Sequence, residues 1–342
     1  MRVILSIVRS MSTSSAHTSV AALTLASLLI AACGSNGNSD TETTTDATEA
    51  PTVVATMSIW ADLTANVACD GLARVEMIIP PGGDPHSFEP SLRDRELMDD
   101  ADVVVANGLF LEESLADTID AVESNGVAVL RVADGLDPLA LDDEDHEEDD
   151  EEDDEEDHDD DHGGADPHVW WDPTRMAAAV PLVADALADV GVDRAALDAC
   201  AADYVEELTA LDDDVAAIVA PLPLDQRILV TNHDSLGYFA DRYDFEVLGS
   251  VIPSSSSLAA TSPAELDALA VDIEATGVPA IFADTQNSSN DADALADRIG
   301  VEVIDMLTDT LDEPGSNAGT YVGWLRQNAQ TIVDALTGTG TS

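Results

Sequence analysis

Between residues 52 and 306 the apolar positions follow two rhythms. Eight short runs are apolar and β-rich, most of them continuously hydrophobic: "TVVATM" (52–57), "VEMII" (75–79), "DVVVAN" (102–107), "VAVLRVA" (127–133), "RILVTN" (227–232), "FEVLGSV" (245–251), "AIFADT" (280–285) and "VEVIDM" (301–306). Unbroken runs of this length predict strands covered on both faces, the pattern of parallel sheets flanked by helices. Between them apolar residues recur at helical spacing. "SPAE" (262–265) supplies a Ser N-cap, a Pro at the first helical position and a Glu at the third, and Gly277 supplies the stop. Asp172-Pro173 opens a second helix in the same way, running to about Val190. From 193 to 220, Leu197, Ala201, Tyr204, Leu208, Leu211, Val215 and Ile218 keep one face apolar until "PLPL" (221–224) ends the run. So long a helix, with four strands on either side of it, predicts an α/β protein. Two four-stranded parallel-sheet lobes, 52–192 and 221–342, are expected, joined by one long rigid helix at 193–220.

The ends and the charge add to this picture. Arg2 and Arg9 precede "VAALTLASLLIAA" (20–32), too short to span a bilayer but suited to the apolar core of a signal peptide. It ends in "LIAAC", which resembles the bacterial lipobox, so residues 1–33 are expected to be a lipoprotein signal with Cys33 as the lipid-bearing residue. The alternative is a plain secretory signal. Residues 34–51 are polar, Thr-rich and aperiodic, as in a flexible tether. A globular body of two domains, leashed by a lipid anchor to the outer face of the cell membrane, is the expected arrangement. In an oxidising compartment the remaining cysteines, Cys69 and Cys200, are a candidate disulfide; two buried thiols are the alternative.

The formal net charge is -58, and "DDEDHEEDDEEDDEEDHDDDH" (142–162) supplies 18 acids of it, leaving -40 elsewhere. Such a field repels nucleic acid and attracts cations. The run itself cannot bury apolar surface and is expected to be a disordered loop, 142–164, inserted in the first lobe. Its histidines, His146, His158 and His162, with its carboxylates, are candidates for weak metal collection. A solvated acidic loop is the plain alternative.

Three histidines remain in the folded body, and each follows a strand or precedes a helix: His86 after "PPGGDP", His168 in "GGADPHVWWDP" and His233 after "RILVTN". Residues beyond the carboxyl ends of parallel strands line the crevice where open α/β sheets bind ligands. A three-histidine metal site is one reading and three unrelated loop histidines another, since separations of 82 and 65 residues match no local metal motif. "HDS" (233–235) is not a hydrolase triad, because the triad is a spatial arrangement and adjacency in sequence argues against it. Trp170 and Trp171 are expected to pack within the lobe.

"PPGGDPHSFEPS" (80–91), "ADPHVWWDP" (165–173), "TNHDSLGYFADRY" (231–243) and "PAIFADTQNS" (279–288) resemble, in order, the motifs of the zinc/manganese solute-binding lipoproteins of ABC transporters. The similarity covers about residues 52–338. It implies two α/β lobes with a metal in the cleft between them, bound by His86, His168 and His233. The family's fourth ligand, a carboxylate after the last strand, falls on Asp309, with Asp305 and Asp284 as neighbouring competitors. Asp284 stands where the family usually has Glu in its "IF-x-E" motif. Asp84 and Asp166, each two residues before a histidine, are candidates to orient an imidazole, as is Asp284; a turn role before proline is the alternative for the first two.

Three imidazoles and one carboxylate suit tetrahedral Zn2+, with Mn2+ as the alternative. The implied function is an extracytoplasmic receptor, not an enzyme, that binds Zn2+ as a monomer. It would deliver the ion to an ABC permease with its ATPase. A surface adhesion protein with a structural metal is the runner-up. Affinity is expected to fall below about pH 6 as imidazoles of ordinary pKa take up protons.

Overall fold

The computed structural model describes residues 50–141 and 164–338. The expected signal, Cys33, nearly all of the expected tether and the charged run, with His146, His158 and His162, lie outside the described residues. The first sheet is built from β1 (Thr52–Ala55), β2 (Arg74–Met77), β3 (Val103–Ala106) and β4 (Ala128–Arg131) in the order β2-β1-β3-β4. The second uses β5 (Ile228–His233), β6 (Glu246–Ile252), β7 (Ala280–Asp284) and β8 (Glu302–Met306) in the order β6-β5-β7-β8. All pairings are parallel. The eight apolar runs coincide with these eight strands. Two of the four central strands, β3 and β7, are buried at every position, which is why their sequences do not alternate.

Helices α1 (Ser58–Val67), α2 (Leu92–Asp99), α3 (Ala116–Ser124) and α4 (Pro173–Asp189) belong to the first half, and α5 (Arg194–Val219) follows. In the second half are α6 (Gly237–Tyr243), α7 (Pro263–Thr276), α8 (Asn290–Ile299) and α9 (Tyr321–Thr337). Asp193 caps α5 by accepting from Ala196 N at 2.9 Å, and Asp172 caps α4 by accepting from Thr174 N at 2.8 Å. Ser262 and Glu265 form the expected capping box of α7, and Gly277 ends it in the left-handed conformation, φ +74°. Leu197, Tyr204, Leu208, Leu211, Val215 and Val219 bury one face of α5, which packs on α1 and α4 from one lobe and on α9 from the other. Cys69, in the turn after α1, and Cys200, on α5, are joined in a disulfide with Cα atoms 5.9 Å apart. No helix among the described residues is long and apolar enough to cross a membrane.

Each sheet reverses its strand order beside its first strand, so each has a crevice at the carboxyl end of that strand. The two crevices face each other. His233, Asp284 and Asp309 of the site described next lie at or just beyond the carboxyl ends of β5, β7 and β8, His86 lies on the loop after β2, and His168 leads into α4.

Candidate metal centre

His86, His168 and His233 are fully or almost fully buried, and each offers a ring nitrogen within 4.8 Å of the others. His233 is the last residue of β5 and is fixed by the strand itself. His168 precedes a short 3-10 turn, Val169–Trp171, that leads into α4. His86 sits on the loop between β2 and α2. Asp309, three residues beyond β8 and 1% exposed, brings Oδ2 to 3.7 Å from His233 Nε2. Asp305, a sequence competitor for that place, is exposed on β8, and Asp284 is already engaged on the far side of His233.

Two of the three rings are oriented from behind. Asp166 Oδ1 lies 2.8 Å from His168 Nδ1 and also accepts from the His168 backbone N–H at 2.9 Å. Asp284 Oδ2 lies 2.7 Å from His233 Nδ1 and accepts from Asn232 Nδ2 at 3.2 Å. A carboxylate on Nδ1 fixes the tautomer and turns Nε2 toward the centre. The two Nε2 atoms are 3.3 Å apart. With His168 Nδ1–H committed to Asp166, His168 Nε2 accepts, so the proton in that contact belongs to His233.

The electrostatics agree. Burial opposes charge on His233, but the Asp284 and Asp309 carboxylates overcome it and raise its pKa to about 10. Burial pushes Asp309 up, only partly offset by the three histidines, while Asp284 is held below its ordinary value because His233 outweighs its burial. The metal-free centre thus stores a proton between His233 and His168, where a cation would sit.

At His86 the turn role, one of the two open to Asp84, is the one formed. Asp84 accepts from the His86 backbone N–H at 3.0 Å and from Ser87 Oγ at 2.6 Å, which is the turn role. The group at the ring is Glu113, whose Oε1 is 3.3 Å from His86 Nδ1, and neither ring nitrogen has a well-formed hydrogen bond. Nothing in the sequence marked Glu113 among its acids. Burial opposes its charge, but His86 and Ser256 outweigh that and hold its pKa below the ordinary value.

Glu113 is presented by a left-handed loop, Gly108 (φ +87°), Leu109 (+50°) and Phe110 (+60°). Buried Glu112 braces this loop by accepting from Asn107 N at 2.7 Å, Gly108 N at 3.3 Å and Thr56 Oγ1 at 2.7 Å, and burial raises its pKa. Asn107 Nδ2 in turn donates to Pro167 O at 3.0 Å, next to His168.

The second lobe closes over His86 with a serine strap after β6. Ser256 Oγ donates to Glu113 Oε1, and Ser257 Oγ donates to Asp84 Oδ2 at 2.9 Å. Trp170 Nε1 donates to Thr308 O at 3.0 Å, and Gly82 N to Thr310 Oγ1 at 2.9 Å. Trp170 and Trp171 are wholly buried, Trp170 edge-on to His168 and Trp171 against Trp324. A Cβ on Gly237 would meet Asp166 Oδ2 at 2.7 Å, so only glycine lets α6 come this close to the carboxylate that turns His168. Beside the strap is a cavity of about 330 Å3 lined by His86, Leu109, Phe110, Glu113, Leu141, Ala165, Pro167 and Ser254 to Ser256.

Residues 53–335 match the family model of ZnuA, zinc-uptake complex component A, periplasmic. The chain belongs to this family. The manganese-binding lipoprotein MntA of Halalkalibacterium halodurans is 28% identical over 311 residues, covering 90% of this chain and 95% of that protein. The zinc-binding protein TroA of Treponema pallidum is 29% identical over 296 residues, covering 84% and 89%. The solved structure of TroA shares the fold at a TM-score of 0.73 and 28% identity, covering 84% of this chain and 99% of that one. A Cd-bound periplasmic metal-binding protein from Candidatus Liberibacter asiaticus, at 23% identity and a TM-score of 0.70, shares the fold. As a ZnuA-family chain the protein is a solute-binding receptor and not an enzyme.

Proposed function

We propose that the protein is the extracytoplasmic receptor of an ABC importer. It captures Zn2+ between its lobes on His86, His168, His233 and Asp309, and hands it to a membrane permease driven by a cytoplasmic ATPase. The observation that carries this is the meeting of three buried imidazoles, His86, His168 and His233, with the buried carboxylate of Asp309, which also clusters with Asp84 and His86. Three nitrogens and one oxygen suit tetrahedral Zn2+ better than Mn2+, which prefers more oxygen and more ligands. Asp166 and Asp284 hold two rings ready, and Glu113 borders the third, that of His86.

In this proposal residues 1–33 are the signal, Cys33 carries the lipid and 34–51 form the tether. The lobes are 52–192 and 221–342, with 193–220 between them, and the receptor works as a monomer without binding nucleic acid. The charged run collects cations weakly through His146, His158, His162 and its carboxylates. Support for that role comes from its two flanks, which meet in an Ala140–Ala165 bridge, with Leu141 and Ala165 lining the same cavity as His86. Competitive Zn2+/Mn2+ binding to the tether-free body, with metal counted by mass spectrometry, tests the reading. One tight Zn2+ per chain, lost in both His86→Ala and His233→Ala, is expected. Weak additional Zn2+ is expected to disappear when 142–162 is deleted. Tight Mn2+ without preference for Zn2+ would move the protein to manganese import, and no tight metal would refute the receptor.

A further inference from the structure

The groups of the centre are shut off from solvent: His168 and His233 are 0% exposed, His86 and Asp309 1%. A cation reaches them only if something moves aside. Of these four, His86 alone lines the cavity beside the serine strap, so the cavity borders the centre through one imidazole. Its volume of about 330 Å3 exceeds the roughly 180 Å3 that six waters of about 30 Å3 each occupy, enough for a hydrated divalent cation. Glu113 and Ser254 to Ser256 stand on its wall.

One oxygen links His86 to the strap. Glu113 Oε1 is 3.3 Å from His86 Nδ1 and accepts the Ser256 hydroxyl. The direction of that bond is fixed, because Ser256 Oγ itself accepts from Leu258 N at 3.2 Å and has its single hydrogen left for Glu113. The strap is pinned to its own lobe: Ser256 N donates to Ser254 Oγ at 3.1 Å, and Ser254 O accepts from Asp234 N, next to His233, at 2.9 Å. Ser256 is thus held on the second lobe through its backbone and on the first through its hydroxyl.

The contacts between the lobes differ in what it costs to break them. Trp170 Nε1 to Thr308 O and the Tyr238 hydroxyl to Asp166 O are buried, so parting them leaves polar groups unpaired. Ser256 and Glu113 are half-buried at a cavity wall, where water replaces a lost partner. We propose that this cavity is the portal of the metal centre and the Ser256–Glu113 hydrogen bond its gate: a divalent cation passes between solvent and His86 when that bond opens, while the buried contacts between the lobes stay made. This rests on the reading of His86 as a ligand of the cargo metal. Neither Ser256 nor Glu113 belongs to the proposed ligand set, so the bond is worth the same in the loaded and the empty receptor. Its loss therefore changes rates and leaves the equilibrium alone.

The test times Zn2+ uptake, and Zn2+ release into excess chelator, for wild type, Ser256→Ala, Ser256→Thr and His86→Ala. Ser256→Ala is expected to speed uptake and release alike by about fivefold, the scale of one hydrogen bond partly replaced by water, with Zn2+ affinity unchanged within about twofold. Ser256→Thr keeps the hydroxyl and is expected to stay near the wild-type rates. A merely structural role would speed release alone and weaken affinity by the same factor; that outcome, or wild-type rates in both directions, would overturn the proposal. His86→Ala separates it from its premise. If that variant loses tight Zn2+ while Ser256→Ala keeps wild-type rates, only the gate fails. If it keeps wild-type affinity, the reading of His86 as a ligand falls and the gate with it.

Discussion

The two lobes contribute equally to the centre in number and unequally in rigidity. The second lobe supplies His233 from within a strand, with Asp284 at the end of a neighbouring strand locking its ring. The first supplies His168, locked by Asp166 two residues away, and His86, whose ring is bordered by Glu113 without a directed hydrogen bond. His86 is also the imidazole over which the serine strap of the opposite lobe closes, through Glu113 and Asp84. A receptor must bind tightly and later let go. The difference is between rings held by a carboxylate at Nδ1, those of His168 and His233, and the ring of His86, which has only Glu113 beside it and the strap of the opposite lobe over it.

The strongest challenge to this division is a pair of substitutions behind the rings. Asp284→Asn is expected to cost about 10- to 100-fold in Zn2+ affinity, since the imidazole loses its orienting carboxylate. Glu113→Gln is expected to cost only about threefold and mainly to speed metal release into a chelator. Equal losses in the two variants would show that His86 is as firmly held as His233.

The second prediction sharpens the electrostatic side. Because His233 has a pKa raised to about 10, it is protonated at neutral pH in the metal-free protein and must release that proton to bind a cation. Zn2+ affinity is thus expected to keep rising with pH through 7 and above by up to about tenfold per unit, rather than to level off past pH 6 as ordinary imidazoles would dictate. Calorimetry in buffers of different ionisation heat is expected to find about one proton released per Zn2+ at pH 7.5. Asp284→Asn removes one of the carboxylates that raise His233 and is expected to reduce that release. No proton release in the wild type would contradict the shared proton of His233 and His168.

The smallest effect lies where α1 meets α9: Asp62 on α1 accepts from Tyr321 N, the first residue of α9, at 3.0 Å. Burial raises Asp62 to a pKa of about 6, against the opposing pull of the Tyr321 hydrogen bond. A raised folded pKa means that the stability tied to the neutral acid is fully present below about pH 4 and lost as pH rises through about 6. Asp62→Asn keeps an acceptor without the charge. It is expected to stabilise the metal-free protein by about 1–2 kcal/mol at pH 7.5, with no gain at pH 4, read from thermal midpoints. A gain that was the same at both pH values would point to packing instead.

Much of the architecture is legible in the amino-acid sequence. The inner strands β1, β3, β5 and β7 are visible because parallel strands buried on both faces favour unbroken apolar runs, and α4, α5 and α7 because their caps are local signals. The three histidines are visible because chemistry at the carboxyl ends of strands follows from the fold class. Asp309 is located only by resemblance, since 52 acids outside the charged run give composition no contrast. Between the two roles open to Asp84 the sequence could not choose, for a local reason: two residues before a histidine, an aspartate reaches either the ring or the backbone. Asp166 takes both, whereas Asp84 takes only the backbone and reserves its second oxygen for Ser87 and Ser257.

By itself, then, the sequence determined everything that depends on neighbours along the chain: periodicity, caps, the number of strands and the placing of histidines at strand ends. The tertiary structure alone decided which carboxylate meets which ring. Glu113 and Ser256 stand 143 residues apart, and His233 and Asp284 stand 51 apart. It also decided the proton on His233, because a pKa is set by burial and by charges brought near in space, and no local pattern records either.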